Sequence, residues 1–473
     1  MLPFVNLSGD SAQEFFSDGM TEEITAALAK IPSLQVVART SAFEFKGQNR
    51  NIQDISQKLH AGYVIEGSVR KAGERVRITA QLIRADSGAH LWTENYDRQL
   101  TDIFATQEDI AQAIAAALRA PLGLQQGQRL VSNRTNNESS YEDYLRAKTL
   151  VRARGLENIS NAAALLEQVV ARDPNFAPGW ALLALSYSVT PLYRPELISG
   201  AIDEAKPVVE TLLAKAEPAA QRAVQLDANL ADGYVALARV QGLRGKLVQA
   251  EELYAKALAL DPNSPDALHQ YSILLAGAGR LKESLALRQQ SQVLEPFVPV
   301  FNQLTAQVLA LNGQFEPAIA LYKDLPTAGR AGTGGAALAW TYASLGRYDE
   351  AIDYLLKIPP GGYLPGTVEE AVRLLRTAPA PAASAQSLPR LGALSFVYLY
   401  VGAPERALEY DEGAVEAGFK QQVTFLWHPG YAALRKTERF KALMRNAGYV
   451  EFWRAKGWPE FCHPTTGDDF VCE

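Results

Sequence analysis

The sequence predicts a mainly α-helical chain: a solenoid of helical hairpins preceded by a smaller α+β domain with a short antiparallel meander. Three observations predict it. Residues 140–420 resemble themselves at a period of about 34, the signature of stacked helix hairpins. Residues 63–93 instead fall into short, β-rich runs separated by turn residues. The 473 residues are 48% hydrophobic and 21% charged, the balance of a chain that buries a large core. At roughly 100–200 residues per domain this length predicts two to four domains. A net charge of −6, from 46 basic and 52 acidic residues, argues against a surface-wide grip on nucleic acid or anionic lipid.

Residues 1–122 read as the mixed domain. Thr21-Glu22-Glu23 opens a helix with Ile24, Ala27, Leu28 and Ile31 on one face and acids at its positive end. Leu34 to Ala38 reads as a short strand, and Ile52 to Leu59 as a second helix. Tyr63 to Arg70 and Val76 to Ile83 form two strands around Ala72-Gly73-Glu74, and the alternation in the second predicts one buried and one wet face. His90 to Thr93 is a third strand, after the turn Asp86-Ser87-Gly88. Thr106 caps a closing helix from Gln107 to Leu118. Residues 123–140 are polar enough to be a linker, with Arg129 and Arg134 the charges of its first half.

Three strings in this region occur together: Leu2-Pro3-Phe4-Val5-Asn6-Leu7-Ser8-Gly9-Asp10, Phe15-Phe16-Ser17-Asp18-Gly19-Met20-Thr21-Glu22-Glu23 and Glu66-Gly67-Ser68-Val69-Arg70. With them the domain resembles the TolB amino-terminal-like (FlgO-like) domain over nearly all of residues 2–120. That family often sits between a membrane helix and helical repeats. The likeness extends to the extracytoplasmic part of CadC-like transmembrane transcriptional regulators and to a segment of repeat-bearing class III nucleotide cyclases. Members usually carry a few more strand residues before the Leu-Pro-Phe, so a shortened first strand is expected.

Residues 141–420 carry the repeats. In the unit from Ala231 to Ser264, the residues Tyr234, Leu237, Ala238, Ala250, Tyr254, Ala257 and Pro262 occupy the places of a tetratricopeptide (TPR) hairpin. One period back lie Ala216, Ala220 and Ala223; one period forward lie Ser284, Ser291 and Pro296. Small residues at the crossing let two helices approach to about 8–10 Å. Further units show at Trp180-Leu183-Ala184-Tyr187, at Ala318-Tyr322, at Leu338-Ala339-Tyr342 with Ala351, and at Tyr398 with Ala407, six or seven hairpins in all. The period breaks near 188–213 and 359–387, which predicts irregular excursions there.

Residues 421–473 are atypical, as a cap should be. Trp427, Tyr431, Leu434, Phe440 and Leu443 predict helices that close the solenoid's apolar end. The tail from Trp453 to Cys472 again resembles that of CadC-like TPR proteins. Cys462 and Cys472, the two cysteines of the chain, bracket a turn with Pro464 and Gly467. A disulfide would close this loop and imply an oxidising compartment, here the periplasm. A metal site of Cys462, His463, Asp468 and Cys472 and a pair of free thiols are the alternatives.

No catalytic constellation emerges. Gly329 to Gly335 lacks the Lys-Ser/Thr of a phosphate-binding loop and follows a repeat helix, so an inter-repeat loop is expected. The histidines are scattered, and paired acids such as Glu22-Glu23 and Glu251-Glu252 lie at helix starts. The reading is therefore a protein that is not an enzyme, with no cofactor and no metal. No run of 18 apolar residues predicts a membrane helix, and Met1-Leu2-Pro3-Phe4 is not a signal peptide. The abrupt start suggests a piece of a longer chain.

What a TPR array does is bind, because the first helix of each hairpin lines a concave groove. By analogy with TPR proteins Arg239, His269, Gln303 and Gln307 face that groove, with Tyr271 close by. Such a lining suits a peptide or protein partner, or a small polar ligand. The resemblance implies a periplasmic, non-catalytic sensory module of a CadC-like regulator. Its absent membrane helix would be the only membrane contact, and homodimerisation its output. The alternatives are the cytoplasmic TPR region of a class III adenylate or guanylate cyclase, and a free periplasmic assembly scaffold.

Overall fold

The computed structural model describes residues 1–31, 33–37, 39–48, 51–118, 135, 137–199, 201–325, 333–358, 363–380, 388–420, 423–467 and 469–473. It is mainly helical, with one four-stranded sheet near the N-terminus and a two-stranded hairpin at the C-terminus.

The N-terminal sheet runs β1 (Val5–Asn6), β2 (Tyr63–Ala72), β3 (Arg75–Arg84) and β4 (His90–Gln99) in that order. The last three form an antiparallel meander in which Val69 faces Ile78 and Ile78 faces Tyr96. The short β1 joins parallel to β2, with Val5 opposite Ser68. Val76, Ile78, Ala80 and Leu82 alternate inward along β3, where they pack against α1 (Glu14–Ala29) and α4 (Ile103–Ala117). Between lie the short helices α2 (Arg39–Phe43) and α3 (Ile52–Leu59).

Several local expectations change. The first helix starts at Glu14 rather than Thr21, because Thr21 satisfies its hydroxyl on the Ser17 carbonyl and accepts from Phe4 N, so it fits a buried helix interior. Thr106 likewise lies inside α4, bonded to Asp102 O, instead of capping it. Leu34 to Val37 is not a strand: it leads toward the solenoid, where Asn263 reaches the Leu34 carbonyl. The third strand of the meander runs on to Gln99.

Six helix hairpins follow among the described residues. They are α5 (Glu138–Ala153) with α6 (Leu156–Arg172), α7 (Ala177–Val189) with α9 (Ile202–Leu226), and α10 (Ala231–Leu243) with α11 (Leu247–Leu260). Then come α12 (Pro265–Gly277) with α13 (Leu281–Leu294), α14 (Pro299–Leu311) with α15 (Phe315–Lys323), and α16 (Thr333–Ser344) with α17 (Tyr348–Leu355). The small residues do what the period predicted: Ala216, Ala220, Ala223, Ala238, Ala250, Ala257 and Ser284 are all essentially inaccessible at the helix crossings. The break near 188–213 holds a 3-10 turn at Thr190–Tyr193 and α8 (Pro195–Ser199), inserted between the two arms of the second hairpin. In the second break α18 (Thr367–Leu375) is described, while residues 359–362 and 381–387 lie outside the described residues. So do residues 123–134 and 136 of the expected linker and 329–332 of the glycine-rich stretch.

Beyond α18 the regular repeat ends. Residues Gly392–Tyr400 form a 3-10 helix, followed by α19 (Leu408–Glu416), α20 (Ala432–Arg435), α21 (Glu438–Asn446) and α22 (Tyr449–Lys456). The unit expected around Tyr398 and Ala407 is thus not a standard hairpin. The closing helices do not sit on the end of the stack either. They fold back onto the turns of earlier hairpins, because Trp427 Nε1 and Trp453 Nε1 find their acceptors there, in the carbonyls of Gly277 and Ala278 at 2.7 and 2.8 Å. Gly448 lies so close to the Gly245 carbonyl that a Cβ would collide with it. One continuous core consequently runs from Val235 to Cys472.

The tail ends in the strands β5 (Cys462–Pro464) and β6 (Phe470–Cys472), joined by the disulfide Cys462–Cys472. Asp468 lies outside the described residues, and no group of His, Cys, Asp and Glu among the described residues could hold a metal ion. No helix among them is long and apolar enough to cross a membrane.

Candidate functional site

The inner face of the hairpins is set by the first helix of each pair. Arg239 projects from α10, His269 from α12, and Gln303 and Gln307 from α14.

The first two are consumed inside the protein. Arg239 is 3% exposed and donates to Gln270 Oε1 at 2.7 Å, to Ser188 Oγ at 3.1 Å and to the Ser188 carbonyl at 3.2 Å. Burial lowers its pKa to about 10, so it remains a cation that ties α7, α10 and α12 together. His269 is equally buried, stacks on Phe301 with ring centres 4.4 Å apart, and meets Arg288 Nη1 through Nδ1 at 2.8 Å. Burial, and then the Arg288 charge, hold its pKa well below the ordinary histidine value, so the ring is neutral. Arg288 itself is buried and bonded to Ser272 and the His269 carbonyl. Tyr271 points away from the inner face: it stacks on Tyr254 and donates to Glu251 Oε1 at 2.8 Å, between neighbouring repeats. Gln303 is half-buried and Gln307 nearly buried, and neither amide has a hydrogen bond.

Two parts of the chain cover the inner helices and their borders. The small domain shares a core with the first hairpins, through Phe16, Met20, Tyr141, Tyr144, Leu145 and Leu166. It also reaches the fourth hairpin. Ser41 N and Oγ both donate to the buried Glu295 carboxylate, Phe297 N donates back to Ser41 Oγ, and Phe45 meets Phe297 edge-on at 6.1 Å. Lys148 of α5 lies between Glu22 and Glu23 of α1, at 3.0 and 2.9 Å.

At the other end the C-terminal region lies on the inner face of α16. Trp340 stacks on Phe396 at 5.4 Å and contacts Phe425, His428 and Tyr431. Ser344 and His428 Nε2 are hydrogen-bonded at 3.0 Å. Phe419 and Ala414 pack on Leu197, Val209 and Leu243, so this region also touches the second and third hairpins.

Under that cover lies a small cavity of about 30 Å³, walled by Trp340, Phe396, Phe425, Tyr431 and the Asp411 carboxyl. It adjoins a larger one of about 160 Å³ at Ser395 and Tyr410, whose outer walls carry Asp203, Arg390, Arg406 and Glu409. Asp411 is 3% exposed and has no hydrogen bond. Burial, and then the neighbouring Glu412, push its pKa well above the carboxylate range. Sequence reasoning missed this cluster. One signal was present: Trp340 follows Ala339 as Arg239 follows Ala238, which puts it at the same inward place of its repeat. Asp411 had no such marker.

Comparison with known proteins places tetratricopeptide repeats in this chain: the Tetratricopeptide repeat family matches residues 336–358. A Rhizobium meliloti (strain 1021) protein named "Putative adenylate cyclase 3" is 34% identical over 251 residues, which are 53% of this chain and 41% of that one. The chain thus spans under half the length of that relative. Among solved structures, a TPR protein of Thermus thermophilus is 18% identical with a TM-score of 0.31, over 45% of this chain and 99% of its own. PilF of Pseudomonas aeruginosa is 14% identical with a TM-score of 0.34, over 46% of this chain and 90% of its own.

Proposed function

We propose that this chain is a non-catalytic regulatory module that engages a peptide or protein partner and passes the event to an attached signalling domain. The observation that carries the reading is the union of the two parts: a repeat array of an interaction architecture shares its core with a small α+β domain. Rearrangement in one is then felt in the other. The partner would meet the inner face beside Gln303 and Gln307, between the surfaces taken by the small domain and the C-terminal region.

The attached domain is best read as a class III nucleotide cyclase, in keeping with the relative named as an adenylate cyclase. The test is cyclic-nucleotide synthesis by the full-length protein, with and without this module, and with Gln303→Ala/Gln307→Ala. A module that changes turnover, and a variant that loses the response to cell extract, are expected. A full-length protein without cyclase activity would remove this reading.

The disulfide favours a second reading, the periplasmic part of a CadC-like regulator built on a TolB-like domain. Alkylation in intact cells separates the two. Cysteines modified only after reduction support the periplasm, and cysteines modified without it support the cytoplasmic cyclase region.

A further inference from the structure

We propose that the paired cavities between α16 and residues 390–431 bind a small zwitterion, its ammonium end inward at Asp411 and its carboxylate outward at Arg390 and Arg406. The inference goes beyond the regulatory reading and does not depend on it.

The inner cavity has the chemistry of a cation site. A carboxylate buried without a hydrogen bond is costly, and an opposite charge is what relieves it. The Asp411 carboxyl is in that position. Around it stand the rings of Trp340, Phe396, Phe425 and Tyr431, whose electron-rich faces attract a cation. At about 30 Å³ the space takes an ammonium head and little more. A quaternary ammonium or a guanidinium is too large.

The outer cavity has a different character. It is wider, at about 160 Å³, and its rim brings two guanidinium groups, Arg390 and Arg406, beside the carboxylates of Asp203 and Glu409. A guanidinium offers paired donors that match a carboxylate. Arg406 is fixed for this by its donation to the Leu388 carbonyl at 2.6 Å and by the Tyr398 ring 5.1 Å away. Ser395 and Tyr410 line both cavities, so a short aliphatic spacer would pass between them. An ω-amino acid meets all three requirements, whereas a peptide amino terminus lacks the outer carboxylate.

The test is calorimetric titration of the intact chain with β-alanine, 4-aminobutyrate and 5-aminopentanoate, against butylamine and butyrate as single-charge controls. At least one amino acid is expected to bind ten-fold or more tightly than either control. Asp411→Asn is expected to weaken it ten-fold or more, and Arg390→Gln, at the exposed rim, several-fold. Circular dichroism melting of both variants verifies that the fold persists, and the rim variant keeps the test valid if Asp411→Asn does not fold. Absence of binding at millimolar amino acid would overturn the proposal. Butylamine binding as tightly as the amino acids, or both folded variants binding like the parent, would overturn it equally.

Discussion

Trp427 donates its indole Nε1–H to the carbonyl of Gly277 over 2.7 Å, although 150 residues separate the two in sequence. Gly277 ends the first helix of the fourth hairpin, where helical carbonyls are left without partners. Trp453 serves the next carbonyl, Ala278, in the same way. The C-terminal region therefore completes the hydrogen bonding of a turn in the middle of the array.

The contact between Gly448 and Gly245 tests that docking. Gly448 has φ +87°, a left-handed conformation that favours glycine, and a Cβ there would strike the Gly245 carbonyl. Gly448→Ala is expected to cost roughly 1–3 kcal/mol. The expected result is a lower urea midpoint and faster proteolysis within 423–473. An unchanged midpoint would mean that this close approach is relaxed in solution.

The disulfide closes the β5–β6 hairpin, beneath which Phe470 packs on Trp453 and Trp458. Replacing Cys462 and Cys472 together by serine is expected to lower stability by roughly 2–3 kcal/mol. Denaturant unfolding of the oxidised parent and the double variant measures it. Equal midpoints would show that the aromatic packing alone holds the tail.

Ser41 supplies two donors to Glu295, a carboxylate 1% exposed at the seam between the small domain and the fourth hairpin. Ser41→Ala removes one of them and also the acceptor of Phe297 N. A loss of about 1–3 kcal/mol is expected, localised to this seam. Hydrogen exchange is the measurement: amides of residues 39–46 and 295–298 should lose protection while the distant β6 does not. Uniform loss throughout the chain would contradict a local seam.

Asp411 makes stability depend on pH in a predictable direction. Its folded pKa is raised, so the folded chain keeps this proton to higher pH than the unfolded chain does. The stability this contributes is complete below the ordinary carboxylate range and is lost as pH rises through the folded value. Asp411→Asn cannot ionise, so its stability relative to the parent should rise from about pH 4 toward pH 8, by about 1.4 kcal/mol for each unit of upward shift. Urea unfolding at several pH values reads the difference. Parallel curves for the two proteins would show a carboxylate at its ordinary pKa.

How much of this was legible in the sequence depends on the range of the contacts. The hairpins are legible because their small residues recur at a fixed spacing and meet within one repeat, as Ala238, Ala250 and Ala257 do. The meander is legible because the alternation along Val76, Ile78, Ala80 and Leu82 is local. Helix starts at Glu14 and Ile103 are not, since Thr21 and Thr106 carry capping side chains that the fold uses in helix interiors. The site is the least legible part. Arg239 and His269 hold the inward places that the period assigns, yet partners from Ser188 to Arg288 close over them. The Asp411 cavity joins residues of α16 to a region with no repeat to calibrate it.

The two ends of the chain grip the same hairpins from opposite edges. The small domain holds the loops at Asn263 and Glu295, which enter α12 and α14, while the tail holds the turns at Gly245 and Gly277, which leave α10 and α12. Mechanically this makes a frame braced on both sides rather than a spring. A load applied at Met1 reaches Trp453 across the width of two hairpins, without travelling the length of the array. Whatever flanks the two ends is thus joined by a short strut, and bending the middle repeats must strain both attachments at once.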